Sequence, residues 1–436
     1  MKKPTLYRGV PALVTTLAVG ALALPALAGD IYYVRTSGND SADGRSPETA
    51  LASIQAAIGR CSGSGNVIYV GPGEYFEEIN LGRGHGSSAP DGVDGDPNRI
   101  VGDITGAETT DGAGPVIVNG DLARHYGIRV QNTDHWSFEK LTFDEQRSYG
   151  VHAKGSQGIA VVDCVINVPS GYGAYFDRVE DLDFLRNRLV RDDSSGHSIL
   201  AYSNSGTMDI SGNRMSLTGD MYLSTWYTGA KPSRRRSVDY GIIAYSYARR
   251  GNTSRIRITN NVVSDNYVGI YGIGLGDDCE TYIANNSVAG CRYGIYGFGY
   301  RGSVTVADNI VSDCYYGAMA YRYRGNASIS GLLTYNIGSS HPYYTNGCNV
   351  SGVIIDEDPQ WRDPYNGNFS LLKGSPAIDS GTAAVAVYED IRGVTRPYDG
   401  DDDSTPVADL GAYEYHPSFD GASLPRVVSW REDERR

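Results

Sequence analysis

Phenylalanine is scarce in this chain, 8 residues against 33 tyrosines, and tryptophan and methionine are rarer still at 4 and 5. The aromatic content is therefore mostly tyrosine, which suits an exposed, half-apolar surface built from strands. The 6 cysteines show no C-x-x-C spacing and no H-E-x-x-H occurs, so a zinc site has little support. No G-x-S-x-G elbow is present, nor a glycine motif that follows a strand and opens a helix. Serine-hydrolase and nucleotide chemistry are thereby disfavoured. Positive charge is also in deficit, with 38 Lys and Arg against 51 Asp and Glu.

Long apolar runs are missing outside the first residues. Lys2, Lys3 and Arg8 precede an apolar stretch from Val10 to Leu24, and Ala26-Leu27-Ala28 predicts cleavage before Gly29. Asp30 stands where a lipoprotein would need cysteine, so the expectation is a soluble, exported chain without a membrane span. The formal charge of −13, less the three positive charges of Lys2, Lys3 and Arg8, leaves −16. That balance argues against nucleic acid and anionic membranes as partners.

What is abundant is glycine, 55 residues, and it recurs with a period. HYGIRV (125–130), SYGVHA (148–153), GYGAYF (171–176), DYGIIA (239–244), YVGIYG (267–272), RYGIYG (292–297) and YYGAMA (315–320) align on what reads as a turn glycine. A second mark is Asn187, Asn213, Asn261, Asn286 and Asn309, with Cys164 before and Leu332 after. Successive intervals are 23, 26, 48, 25, 23 and 23 residues. A period near 23 holds short strands and their turns, one coil of a parallel β-helix that buries its inward side chains only by stacking on neighbours. The fold expected is all-β, a right-handed parallel β-helix of three-strand coils. Alternation puts Val151 and Ala153 inside, His152 and Lys154 outside. The asparagine column reads as scaffold, and the 48-residue interval as one coil with an insertion or a distortion across 219–237, two coils being the alternative. Cys291 and Cys314 should lie in adjacent coils, close enough for a disulfide; two buried thiols are the alternative.

Two regions carry a resemblance. IYYVRTSGNDSADGRSPETALASIQAAI and GNVIYVGPGEYFEEINL, within 31–81, resemble the opening of pectate-lyase-like β-helix proteins, and a short helix from Leu51 to Gly59 would cap the solenoid. SPAIDSG (375–381), DIRGVTRPYDGDDD (390–403) and DLGAYEY (409–415) resemble the C-terminal region of choice-of-anchor Q proteins. The chain is thus divided into a leader (1–28), a cap with the first coils (29–120), repeats of about 23 residues (121–340), a C-terminal region (341–415) and a polar tail (416–436). The resemblance also implies a carbohydrate-directed role, by analogy of fold.

On one strand face the alternation collects Arg129, His152, Lys154, Tyr175, Asp177, Tyr202, Tyr245, Tyr271, Tyr296 and Tyr321. A lyase on a uronic-acid polymer needs a carboxylate partner, a base for the C5 proton and an extended groove. Lys154 or His152 is the candidate base, Arg129 the carboxylate partner, and Asp177 a support for imidazole or cation. The tyrosines would form a platform for sugar rings. The competing reading is a solvated face whose tyrosines merely cover the sheet.

A basic island, Lys231, Arg234, Arg235, Arg236, Arg249, Arg250, Arg255 and Arg257, follows Trp226 and Tyr227. Trp226 and Arg235 could clamp an anionic polysaccharide. Asp399, Asp401 and Asp403 alternate in a glycine-containing turn that could hold Ca²⁺ in a structural role. The expected function is an exported, monomeric, carbohydrate-active β-helix, lyase-like on an acidic polysaccharide. The alternative is a non-catalytic glycan-binding or structural envelope protein.

Overall fold

The computed structural model describes residues 29–82, 89–168, 171–192, 196–203, 205–218, 239–248 and 251–419. The leader, most of the polar tail, and Trp226, Arg235 and the rest of 219–238 lie outside the described residues.

Two successive coils show how the chain is wound. Strands Tyr149–Lys154, Gln157–Val162 and Val165–Val168 are followed by Tyr172–Asp177, Glu180–Leu185 and Arg188–Asp192. Tyr149 pairs with Tyr172, Gln157 with Glu180 and Val165 with Arg188, each in parallel and each 23 residues on. The same step repeats through a ten-stranded sheet and a twenty-stranded one, so the molecule is a parallel β-solenoid. Among the described residues only Trp361–Asp363 and Asn368–Leu371 pair in antiparallel fashion between strands. Valine, isoleucine and leucine fill the interior, joined by Trp136, Phe138, Phe143, Phe176 and Phe184, all fully buried.

The repeat glycines are not in turns. Gly127, Gly150, Gly173, Gly241, Gly269, Gly294 and Gly317 sit inside strands of the ten-stranded sheet. A Cβ on Gly294 would lie 2.4 Å from Val311 Cγ1 and 2.8 Å from the Gly317 carbonyl of the next coil. The glycines therefore admit close packing across the solenoid rather than a left-handed backbone.

The asparagine column is an internal amide ladder. Asn187 Oδ1 accepts the Cys164 main-chain N–H at 2.9 Å, and Asn213, Asn261, Asn286 and Asn309 each accept the N–H of the asparagine below. Their side-chain amides donate onward to carbonyls such as Val161 and Ile283. The left-handed position is the residue before each ladder member, as at Arg186, Asn260, Asn285 and Asp308. Because Asn213 bonds directly to Asn261, the 48-residue interval is one coil with an insertion.

At the first coils a helix, Ile54–Ile58, buries Ile54, Ala57 and Ile58. Ser53 Oγ accepts the Ala56 N–H, and the Glu77 carboxylate accepts those of Ile54 and Gln55 at 2.8 and 2.9 Å. The C-terminal segment folds back over the larger sheet. Thr382 donates its N–H and hydroxyl to Asp308, Asn285 donates to the Asp409 carbonyl, and Ala412 to Ser287. Leu410, Ala412 and Tyr413 share a second core with Val262, Ile310 and Leu333. Beneath it, Arg396 is fully buried and pairs with Glu414 at 3.1 Å. Among the described residues no helix is long and apolar enough to cross a membrane.

Cys291 and Cys314 are free thiols in the structure, the alternative to the expected disulfide. Each Sγ turns to a carbonyl two residues back on its own coil, Ala289 at 3.3 Å and Ser312 at 3.2 Å.

Candidate functional site

In the ten-stranded sheet the buried glycine, or Ser198 in its place, sets the phase of each strand. Side chains one residue before it, two after and four after all point outward. The residue before the glycine gives Tyr126, Tyr149, Tyr172, His197, Tyr240, Val268, Tyr293 and Tyr316. The second position gives Arg129, His152, Tyr175, Leu200, Ile243, Tyr271, Tyr296 and Met319. The fourth gives Gln131, Lys154, Asp177, Tyr202, Tyr245, Ile273, Phe298 and Tyr321.

The single tyrosine ladder expected from the sequence is thus two columns. Tyr175, Tyr271 and Tyr296 belong to one, and Tyr202, Tyr245 and Tyr321 to the other. Residues two apart on a strand share a face yet stand about 6.6 Å apart along it. The column of aromatics before the glycines was read in the sequence only as a marker, although every YG pair announced it.

Ring geometry separates scaffold from platform. Tyr126 and Tyr149 stack at 5.3 Å and 8°, Tyr149 and Tyr172 at 5.4 Å and 13°. Rings stacked along the solenoid axis cover one another's faces and turn only edges and hydroxyls outward. Tyr271 and Tyr296 instead meet edge to face at 4.7 Å and 89°, Tyr202 and Tyr245 are tilted at 4.7 Å and 45°, and Tyr271 also lies parallel to Tyr240 at 6.3 Å and 14°. An edge-to-face pair covers less ring face than a stacked one, and ring faces are the surface a pyranose can stack on.

At the N-terminal end of this face the four charged or titratable candidates come together as two neighbouring pairs. Arg129 pairs in register with His152, and Lys154 with Asp177. Lys154 Nζ lies 3.2 Å from Asp177 Oδ2, and Arg178 reaches the same oxygen at 3.3 Å. The His152 ring lies parallel to Tyr175 at 5.4 Å and tilted against Tyr149 at 5.1 Å. Burial, reinforced by the positive charges of Arg129 and Lys154, lowers its pKa to about 4. His152 is therefore a neutral imidazole at pH 7, able to accept a proton but a weak base. The Arg129 guanidinium stands 5.3 Å over the Tyr126 ring. His197, three coils on from Arg129, is likewise lowered to about 4, by burial and then by Arg191.

No family model and no curated protein matches this chain. Among solved structures it is similar to pectate lyase Pel9A, at 13% identity and a TM-score of 0.41, over 89% of this chain and 96% of that one. A rhamnogalacturonan lyase matches at 14% identity and a TM-score of 0.36, over 74% and 87% of the two chains. The GH136 lacto-N-biosidase from Eubacterium ramulus matches at 11% and 0.36, over 75% and 68%.

Of the basic island, Arg255 and Arg257 are described, and they lie on the larger sheet, away from the aromatic columns. Arg255 pairs with Glu280 at 2.7 Å, while Arg257 donates to the Ala386 carbonyl and so tethers the C-terminal segment. Neither forms a clamp over the tyrosines.

The acidic turn brings together a different trio from the one expected. Asp379, Asp399 and Asp401 each offer an oxygen within 4.8 Å of the others. Asp403 is not among them; its carboxylate accepts the Thr405 N–H at 2.7 Å. Asp379 already accepts the N–H groups of Gly400 and Asp401, and burial raises its pKa. Asp399 Oδ1 is buried without a hydrogen-bond partner, the kind of atom a hard cation would satisfy. Sequence reasoning missed Asp379 because it lies 20 residues before Asp399, although it sits within the quoted SPAIDSG.

Proposed function

We propose that this is an exported glycan-binding β-solenoid, holding an acidic polysaccharide along its ten-stranded sheet. The observation that carries the reading is the join on one face of a cationic patch, Arg129 and Lys154, with the tyrosines of the following coils, Tyr202, Tyr245, Tyr271 and Tyr296. Guanidinium and ammonium suit uronate carboxylates, and aromatic faces suit the C–H faces of pyranoses. Calcium-type cations are proposed for Asp379, Asp399 and Asp401 as structural ligands, with the test a calcium-dependent rise in Tm that Asp399→Asn removes.

β-Elimination is the second reading. It is favoured by a neutral imidazole and an ammonium in the same patch as a carboxylate-binding arginine. The base would take the C5 proton as the C4–O bond breaks and a C4–C5 double bond forms. Against a fast reaction stand the weak basicity of His152 and the engagement of Lys154 with Asp177.

One experiment separates the two. Purified protein is mixed with pectin, alginate and glycosaminoglycans, with and without calcium, while affinity and ultraviolet absorbance of unsaturated uronates are followed. Binding without absorbance supports the first reading. Absorbance that Lys154→Ala or His152→Ala abolishes supports elimination, and neither binding nor absorbance sinks both.

A further inference from the structure

A second, chemically different groove lies where the ten-stranded sheet turns the corner into the larger one. It has a volume of about 430 Å³ and crosses several coils. Register lines up Thr207, Arg255, Glu280, Ser303 and Asn326, one per coil, along its wall. Arg255 and Glu280 pair at 2.7 Å, and Arg301 approaches Asp277 at 3.7 Å. Asp277 and Asp278 are exposed in the same wall.

Three strands of the ten-stranded sheet end in a tyrosine a few residues before the chain enters the groove wall. Tyr247, Tyr300 and Tyr323 are 50%, 38% and 46% exposed, far more than the tyrosines of the inner columns. Tyr300 and Tyr323 stack on each other at 5.0 Å, and Arg301 and Arg324 each stand over one of the two rings. Tyr247 differs: among the described residues no ring or guanidinium covers it. Its register partner is Leu275, whose strand runs straight into Asp277 and Asp278.

An uncovered aromatic ring beside a polar trough is the arrangement that takes a pyranose, with its C–H face on the ring and its hydroxyls against the wall. Charge selects the sugar. Asp277, Asp278 and Glu280 outnumber Arg255 and Arg301, so the trough carries no positive excess for a uronate. Carboxylates accept from neighbouring hydroxyls, and the guanidiniums and Asn326 donate to them.

We propose that this corner groove is a second binding site, for a neutral oligosaccharide, separate from the acidic-glycan face. Tyr247 supplies the stacking surface, and Asp278 and Glu280 the hydroxyl acceptors.

The test is titration calorimetry of the whole chain with neutral β-1,4-linked gluco-, manno- and xylo-hexasaccharides, and in parallel with oligogalacturonate. At least one neutral hexasaccharide is expected to bind. Tyr247→Ala and Asp278→Asn should each weaken it by about tenfold, whereas Tyr175→Ala and Tyr271→Ala should leave it unchanged. All four sites are on the surface, and equal melting temperatures will establish that each variant is folded. No neutral binding at millimolar ligand overturns the proposal. So does neutral binding that ignores Tyr247→Ala and Asp278→Asn, or that is lost with Tyr175→Ala. The oligogalacturonate arm reads the sheet face independently, so failure of one site is not failure of the other.

Discussion

Asn213 and Asn261, 48 residues apart, are hydrogen-bonded neighbours: the Asn261 side-chain carbonyl accepts both the main-chain N–H and the side-chain amide of Asn213, each at 3.0 Å. The Asn261 amide in turn donates to Ile210 O and to Asn286 Oδ1. Replacing it with leucine deletes an acceptor for two buried donors and a donor to two buried acceptors. Asn261→Leu is expected to cost about 2–4 kcal/mol, read as a fall in the denaturant midpoint. A loss below about 1 kcal/mol would mean that water replaces the ladder.

That pair also shows what the sequence made legible. The repeat, the parallel solenoid, the inward and outward alternation at Val151, His152, Ala153 and Lys154, and the insertion were all available from spacing. Column identity was equally available, because counting from each glycine puts Tyr175 at the second position and Tyr245 at the fourth. Reading the glycines as turns hid that phase. The C-terminal wrap was not available. Thr382 meets Asp308 across 74 residues and Asn260 meets the Glu389 carbonyl across 129, and no local pattern encodes such partners. Ring angles, which separate stacked from tilted and edge-to-face pairs, depend on packing and left no mark in the sequence.

Gly294 tests the close-packing role. Its Cβ would meet Val311, a stiff β-branched side chain with no exposure, and a carbonyl of the next coil. Gly294→Ala is expected to destabilise by about 2–3 kcal/mol. Gly112, with nothing within 4 Å of its Cβ position, serves as the control, and Gly112→Ala should stay within about 0.5 kcal/mol. Equal effects at the two sites would refute the packing explanation.

His152 and His197 predict an acid limb in the stability profile. Both are lowered to about 4 in the fold, principally by burial, against about 6.5 in an unfolded chain. The unfolded state therefore binds more protons between those values, and stability is full above about pH 6.5 and falls as pH drops toward 4. His152→Gln should flatten part of that slope, and the His152 C2–H resonance should titrate near 4. A midpoint near 6.5 would show that the aromatic columns do not bury the ring.

Lys154 and Asp177 allow function to be separated from stability. The Lys154 side chain is 43% exposed and that of Asp177 21%, so their ion pair is screened by solvent and worth at most about 1 kcal/mol. Lys154→Ala should therefore leave the melting temperature almost unchanged. If the patch recognises carboxylates, the same variant loses affinity for oligogalacturonate by about tenfold or more, and Lys154→Arg, which keeps the charge, restores most of it. Elimination imposes a different pattern: Lys154→Arg would then bind as the native chain does yet form little unsaturated product, because a guanidinium does not shed its proton. Affinity measured with absorbance on these two variants thus distinguishes a lysine that holds substrate from one that attacks it. Unchanged binding and unchanged product in both would remove Lys154 from the site altogether.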